Sequence, residues 1–139
     1  MTPERLADLH ARAFTRQRPW SADEFASLLT SPTVFLVHDD HAFALGRVIV
    51  DEAELLTLAT APNHQRKGLG RQMLTRFHDS ARTLGATRAF LEAAADNTPA
   101  LTLYQAENYV QDGRRPAYYR MSDGQTVDAV IMSRALPLG

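Results

Sequence analysis

No cysteine occurs among the 139 residues. Disulfide staples, thiolate nucleophiles and cysteine metal ligands are excluded, and a reducing compartment is permitted. Neither charge sign dominates: 15 Lys and Arg stand against 16 Asp and Glu, a formal net charge of -1. Binding to nucleic acid through bulk charge is therefore not expected. No apolar run approaches the length of a membrane span, and the opening Met1-Thr2-Pro3-Glu4-Arg5 is not a basic start leading into an apolar stretch. Neither a membrane segment nor a secretory signal is expected, and a cytoplasmic location is the default. Repeats, low-complexity tracts and linkers are lacking as well. Hydrophobic residues make up 45% and charged residues 22%, which suits one domain over 1–139 with a substantial core.

Residues 3–15 carry Leu6, Leu9, His10 and Ala13 at helical spacing, with His10 expected to be packed rather than to act as a ligand. The other histidines, His38, His41, His64 and His78, show no metal spacing, so no metal site is expected. After the polar break at Arg16-Gln17-Arg18-Pro19, Ser21 and Glu24 match a capping box, with Trp20 and Phe25 as its hydrophobic staple. That second helix should end near Thr30-Ser31-Pro32. Thr33 to His38 and Ala42 to Val50 read as an antiparallel hairpin turning at Asp39-Asp40. A strand over 54–60, a helix over 68–84 and a strand over 88–94 follow. Leu69, Met73, Phe77, Ala81 and Leu84 mark the helix's apolar face, and Gly85 is its C-cap. Asn97 is placed to cap a further helix over Ala100 to Glu107, with Pro99 in its first turn. Two final strands start at Tyr109 and at Thr126 (the latter running to Ala135), around a turn at Ser122-Asp123-Gly124. The expected fold is α/β: a mixed, mostly antiparallel sheet flanked by helices.

The chain is organised around Leu55-Leu56-Thr57-Leu58-Ala59-Thr60-Ala61-Pro62-Asn63-His64-Gln65-Arg66-Lys67-Gly68-Leu69-Gly70-Arg71, a strand, a turn, a glycine-containing loop and a helix start. The glycines let backbone approach a ligand. The amides of the first helical turn lack intrahelical acceptors and lie at the electropositive end of the helix. With Arg66, Lys67 and Arg71, this reads as a pyrophosphate cradle, although taken alone so short a motif fits a glycine-containing helix start with ordinary solvated cations equally well. A Walker A loop is ruled out because Arg71, not Lys, follows Gly70. A Rossmann fingerprint fails because Met73 stands where the third glycine belongs.

The segment Gln65 to Gly70 instead resembles the Gln/Arg-x-x-Gly-x-Gly/Ala acetyl-CoA loop of the GNAT N-acetyltransferases. Leu91-Glu92 followed by Asn97, Ala100 and Leu103-Tyr104 is similar to a second GNAT block, more narrowly that of the RimI-type ribosomal-protein-alanine N-acetyltransferases. Pro19-Trp20-Ser21, Tyr118-Tyr119 and Asp128-Ala129-Val130-Ile131-Met132 extend the likeness over nearly the whole chain. The resemblance implies a GNAT fold with acetyl-CoA at a splay between central strands, and transfer of acetyl to a protein N-terminus. Glu92 is then the general base and Tyr104 the acid that protonates the departing thiolate. An α-amine, with a reference pKa of about 7.7–8.0, needs only modest help from a base. Glu54 is the second choice of base and Glu52 a third, both nearer the entry of the central strand. Leu58, Ala59 and Thr60 are implied to offer backbone groups to the pantetheine arm and thioester oxygen. Gln65, Arg66, Lys67, Gly68, Leu69, Gly70 and Arg71 would hold the pyrophosphate, and Asn97 would contact the cofactor while also capping its helix. Trp20, Tyr118 and Tyr119, with Arg18, would bind the acceptor peptide, although hairpin packing accounts for the tyrosines equally well. Three departures stand out: the family's opening strand is short or absent, Asn108 replaces the glycine of Tyr-x-x-x-Gly-Phe, and Ala93-Ala94-Ala95 widens the acceptor side. A GNAT enzyme for a small amine, or an inactive CoA-binding module, is the alternative.

Overall fold

Four helices and six strands make up the chain in a computed structural model that describes residues 1–65 and 67–137. Helix α1 (Pro3–Ala13) begins where the Thr2 side chain caps the Arg5 amide and Pro3 occupies the first turn, a position where its missing N–H costs nothing. It ends two residues earlier than expected, with Phe14 as C-cap. Helix α2 (Ala22–Leu29) carries both hydrogen bonds of the Ser21–Glu24 capping box, and Trp20 packs against Phe25 at 5.5 Å between ring centroids. A cap of this kind is worth about 1 kcal/mol.

Strands β1 (Val34–His38) and β2 (Ala42–Ile49) form the expected hairpin. Strand β3 (Glu52–Thr60) starts two residues earlier than the pattern suggested, because β2 and β3 are joined tightly through Val50 and Asp51. Helix α3 is Leu69–Thr83 and strand β4 is Arg88–Ala94. Leu84 is not on the buried face: it is the α3 C-cap and 53% exposed, while Leu74 and His78 are buried instead. Beyond it Gly85, at φ 97, lets the Ala86 amide reach the Ala81 carbonyl at 2.9 Å, a Schellman closure. Helix α4 (Thr98–Ala106) ends the same way, with Asn108 at φ 71 and the Tyr109 amide on the Tyr104 carbonyl. Asn108 thus serves as the left-handed residue that glycine usually supplies. Strands β5 (Val110–Arg120) and β6 (Thr126–Ala135) complete the sheet.

The sheet order is β1-β2-β3-β4-β6-β5. All neighbours are antiparallel except β3 and β4. One face is covered by α1 and α2 through Leu6, Leu9, Phe25, Phe43 and Leu45. The other is covered by α3 and α4 through Met73, Leu74, Phe77, Leu91 and Tyr104. Among the described residues, no helix is long and apolar enough to cross a membrane.

Candidate active site

The site arises from a failure of pairing at the centre of the sheet. Parallel strands β3 and β4 pair through Glu52↔Arg88, Ala53↔Ala89 and Glu54↔Phe90, and then part. A β-bulge marks the same region. Register with β2 steps from Leu45↔Thr57 to Gly46↔Leu55, leaving Leu56 as the extra residue, and such a bulge bends and twists its strand. Between the parted strands lies a cavity of about 180 Å³. Leu55 to Leu58 form one wall and Leu91 to Ala94 the other. Asn97, Leu103 and Tyr104 close it from α4, His10, Phe14, Gln17 and Trp20 from the α1 side, and Tyr119 from β5.

Glu92 and Tyr104, the two residues singled out for proton transfer, both line this cavity. Glu92 Oε1 accepts from Arg115 Nε at 2.9 Å, an ion pair reaching across from β5. Tyr104 is 7% exposed, and burial first, then Tyr119, raises its phenol above the ordinary value. It therefore keeps its proton throughout the neutral range. Tyr119 is pushed up to about 12, by burial and then by the charge of Glu92. Tyr119 and Glu92 line the same cavity, Glu92 from β4 and Tyr119 from β5. Glu54 lies elsewhere: its carboxylate is paired with Arg47 at 2.6 Å, it is no part of the cavity lining, and Glu52 is drawn to Arg88.

Trp20 stacks on His10 at 5.2 Å and borders the cavity. Arg18 is held away by Glu24. Tyr118 is 54% exposed and meets Tyr119 edge-on at 5.1 Å, with the Arg115 guanidinium 5.5 Å from its ring centre. Their placement depends on a second irregularity. Between Arg115↔Ala129 and Tyr119↔Val127 the β5 strand carries two extra residues, with Ala117 at φ 49. Asp128 holds that bulge, accepting from the Ala117 amide at 2.8 Å and from Arg114 Nε at 3.1 Å. These two bonds, in that order, lower the Asp128 carboxyl pKa.

At the other end of the cleft, Gly68 caps α3 at φ 78 with no side chain on the first amides, and no acidic residue stands in the first turn. That amide set fits a phosphate. A Cβ at Gly70 would meet Leu103, Leu58 and Thr60 at 3.5–3.8 Å, so this position of α3 faces both α4 and β3 at ordinary van der Waals distance. Leu58, Ala59 and Thr60 pair with β2 along one edge and belong to the parted stretch along the other. Gln65 folds back, its Nε2 donating to the Thr60 carbonyl at 3.2 Å. Lys67 is exposed. The Arg71 side chain forms an ion pair with Glu107 at 2.5 Å. Asn97 Oδ1 accepts from the Ala100 amide at 3.3 Å, and Asn97 lines the cavity as well. Arg66 lies outside the described residues. His64 stacks on His41 at 3.6 Å between ring centroids.

Three residues at the site are not legible from sequence in this role. His10 is packed as expected, at 4% exposure, yet it also forms cavity wall. Thr57 and Arg115 carry no local signal, since the bulges that aim them are set by register against neighbouring strands.

The model of the Acetyltransferase (GNAT) family matches residues 4–108, and the chain belongs to that family. Members of this family use acetyl-CoA. The chain is 35% identical to the [ribosomal protein bS18]-alanine N-acetyltransferase of Escherichia coli K12, over 94% of this chain and 92% of that one. It is 32% identical to the N-alpha-acetyltransferase RimI of Mycobacterium tuberculosis, over 94% of this chain and 85% of that one. The crystal structure of the ribosomal-protein-S18-alanine N-acetyltransferase from Escherichia coli superposes with a TM-score of 0.86 at 30% identity, covering 99% of this chain and 89% of that one.

Proposed function

We propose that this chain, acting as one unit over 1–139 in the cytoplasm, transfers the acetyl group of acetyl-CoA to the N-terminal α-amine of a protein. A ribosomal protein is the acceptor that the relatives' names favour. The observation that carries the reading is the convergence of Glu92 and Tyr104 on one cavity where the central strands part. Bound there, acetyl-CoA supplies an activated acyl carbon and a thiolate leaving group. Glu92 takes the proton that the amine gives up as its N–C bond forms, with Arg115 holding the carboxylate in place. Tyr104 gives its phenolic proton to the sulfur as the C–S bond breaks; its raised pKa means that it arrives protonated. In the stretch Leu58-Ala59-Thr60 the backbone groups not spent on β2 would be available to the pantetheine arm and to the thioester oxygen on which charge develops. The α3 amides from Gly68 to Arg71, with Gln65, Arg66 and Lys67, hold the pyrophosphate, and Asn97 contacts the pantetheine arm. Trp20 and Tyr119 line the cavity, and with the exposed Tyr118 beside Tyr119 they would receive the acceptor.

The test is acetyl-CoA turnover on a panel of free-N-terminus peptides and small amines. Peptide acetylation that is abolished by chemically blocking the N-terminus, and that falls by about 10²–10⁴-fold in both Glu92→Gln and Tyr104→Phe, is the expected result. Turnover confined to small amines would replace the protein acceptor with a metabolite. Full activity in Glu92→Gln would move the base to Glu54.

A further inference from the structure

The splayed stretch of β3 carries a hydroxyl that the acid–base pair leaves unused. Thr57 lines the cavity and is 8% exposed. Its Oγ1 lies 3.2 Å from His10 Nε2, and the other ring nitrogen, His10 Nδ1, lies 3.2 Å from the Trp20 backbone nitrogen. A backbone N–H can only donate, so Nδ1 is the acceptor and the ring proton sits on Nε2, which donates to Thr57. Burial, the largest influence on it, lowers the imidazole to about 4, ahead of the opposing pull of Glu24. The ring is therefore neutral at neutral pH, as that tautomer requires.

The consequence falls on Thr57. One lone pair of its Oγ1 is occupied, while its own hydrogen has no acceptor among the described residues. The Leu56 bulge determines where that hydrogen is available. Leu55 belongs to the core under α3, and strict alternation would point Thr57 the same way. The extra residue turns it instead toward α1 and His10. There it stands on one wall of the gap, with Glu92 on the other.

We propose that the Thr57 hydroxyl is an acceptor-binding group. It donates to the carbonyl oxygen of the acceptor's first residue while Glu92 engages the α-amine, so that the two walls together recognise an amine and a carbonyl borne on the same carbon. His10 is the positioning residue that fixes the hydroxyl. This rests on the reading of the protein as an N-terminal acetyltransferase and supplies its selectivity: a lysine ε-amine or a simple alkylamine has no carbonyl at that distance. No covalent step is added, and the proton inventory of the transfer is unchanged.

The experiment measures acceptor and acetyl-CoA parameters for wild type, Thr57→Val, Thr57→Ser and His10→Phe. The acceptors are a peptide with a free N-terminus and, as competitive inhibitor, its analogue with a trans-alkene in place of the first peptide bond. Thr57→Val keeps the side-chain shape and removes the hydroxyl. Its acceptor kcat/KM should fall about tenfold, the loss of one neutral hydrogen bond. Its KM for acetyl-CoA and the inhibition constant of the alkene analogue should stay at wild-type values. Thr57→Ser should restore the acceptor kcat/KM, and His10→Phe should show the same selective loss. Unchanged peptide kinetics in Thr57→Val, or equal weakening of peptide and alkene analogue, would overturn the proposal while leaving the proposed function standing. A wild type that acetylates small amines and no peptide would overturn both, and is seen without any variant.

Discussion

Gly46 on β2 lies between two aromatic rings, Phe35 and Phe77, which stack at 5.6 Å and 9°. A Cβ built there would sit 2.5 Å from Phe77 Cε1 and 2.6 Å from Phe35 Cζ. Phe77 is fully buried in the core under α3, so its ring has little room to yield. Gly46→Ala should therefore cost roughly 2 kcal/mol despite improving strand propensity, as overpacking does. A urea midpoint at or above the wild-type value would show that the rings give way. This glycine is invisible in the sequence, where it reads only as a small residue inside an apolar strand. Glu92, Tyr104 and Asn97 are legible because their spacing belongs to a block with a recognisable order. Thr57 and Arg115 are not, since nothing within a few residues of either says which wall it will face.

The elements that the sequence declares plainly are those closed by local chemistry. The Ser21–Glu24 box, the Asn97 cap and the left-handed Asn108 need only their own neighbours, and each is found where the pattern put it. The turn joining β2 to β3 is the opposite case. Val50 sits at φ 59 and is 87% exposed, a conformation that a β-branched residue adopts at a cost. It is held there because Asp51, next to it, accepts from the Thr87 amide at 2.8 Å and so anchors the turn to the start of β4. A tertiary bond thus overrides a local preference, and the hairpin lacks the Gly or Asn that would have announced it. Val50→Gly should raise stability by about 1 kcal/mol once glycine's greater unfolded-state freedom is subtracted, which a shift of the urea midpoint at constant m-value would register. The β5 bulge is a second override, with a functional readout. Asp128→Ala removes both bonds that hold Ala117 and Arg114, loosening Arg115, Tyr118 and Tyr119 together. The acceptor KM should rise about fivefold with the acetyl-CoA KM unmoved, because charge-assisted bonds that fix the acceptor wall are lost and the cradle is not touched. A parallel rise in both would mean that the bulge supports the whole fold rather than the acceptor wall.

At the scale of the whole molecule, a buried histidine on each side of the sheet ties its helix to another part of the chain. His10 on α1 bonds to Thr57 of β3. His78 on α3 bonds to the Tyr109 hydroxyl at 2.7 Å, just ahead of β5. Burial is the main cause that lowers both rings to about 4, aided at His78 by Arg134 and Arg82. Since these folded-state values lie below the ordinary 6.5, the unfolded chain binds protons that the folded chain refuses. Stability is then complete above about pH 6.5 and declines as the pH falls toward 4. Each ring contributes up to roughly 3 kcal/mol over that interval, and the pair is comparable to a sizeable part of an ordinary domain's stability of about 5–15 kcal/mol. The window lies above the carboxylate range: the Glu24 carboxyl, held at about 2 by its bond from Arg18 and then by the Ser21 amide, begins to matter only below 4.5. Urea midpoints measured from about pH 7.5 to 4.5 should therefore be level at first and fall steeply below about 6.5. His78→Phe should be less stable at about pH 7.5, where Tyr109 loses its partner, yet show a shallower decline, so that the two curves converge on acidification. A wild-type midpoint level down to about pH 4.5 would mean that both rings accept protons without cost and that the two faces are held by apolar packing alone.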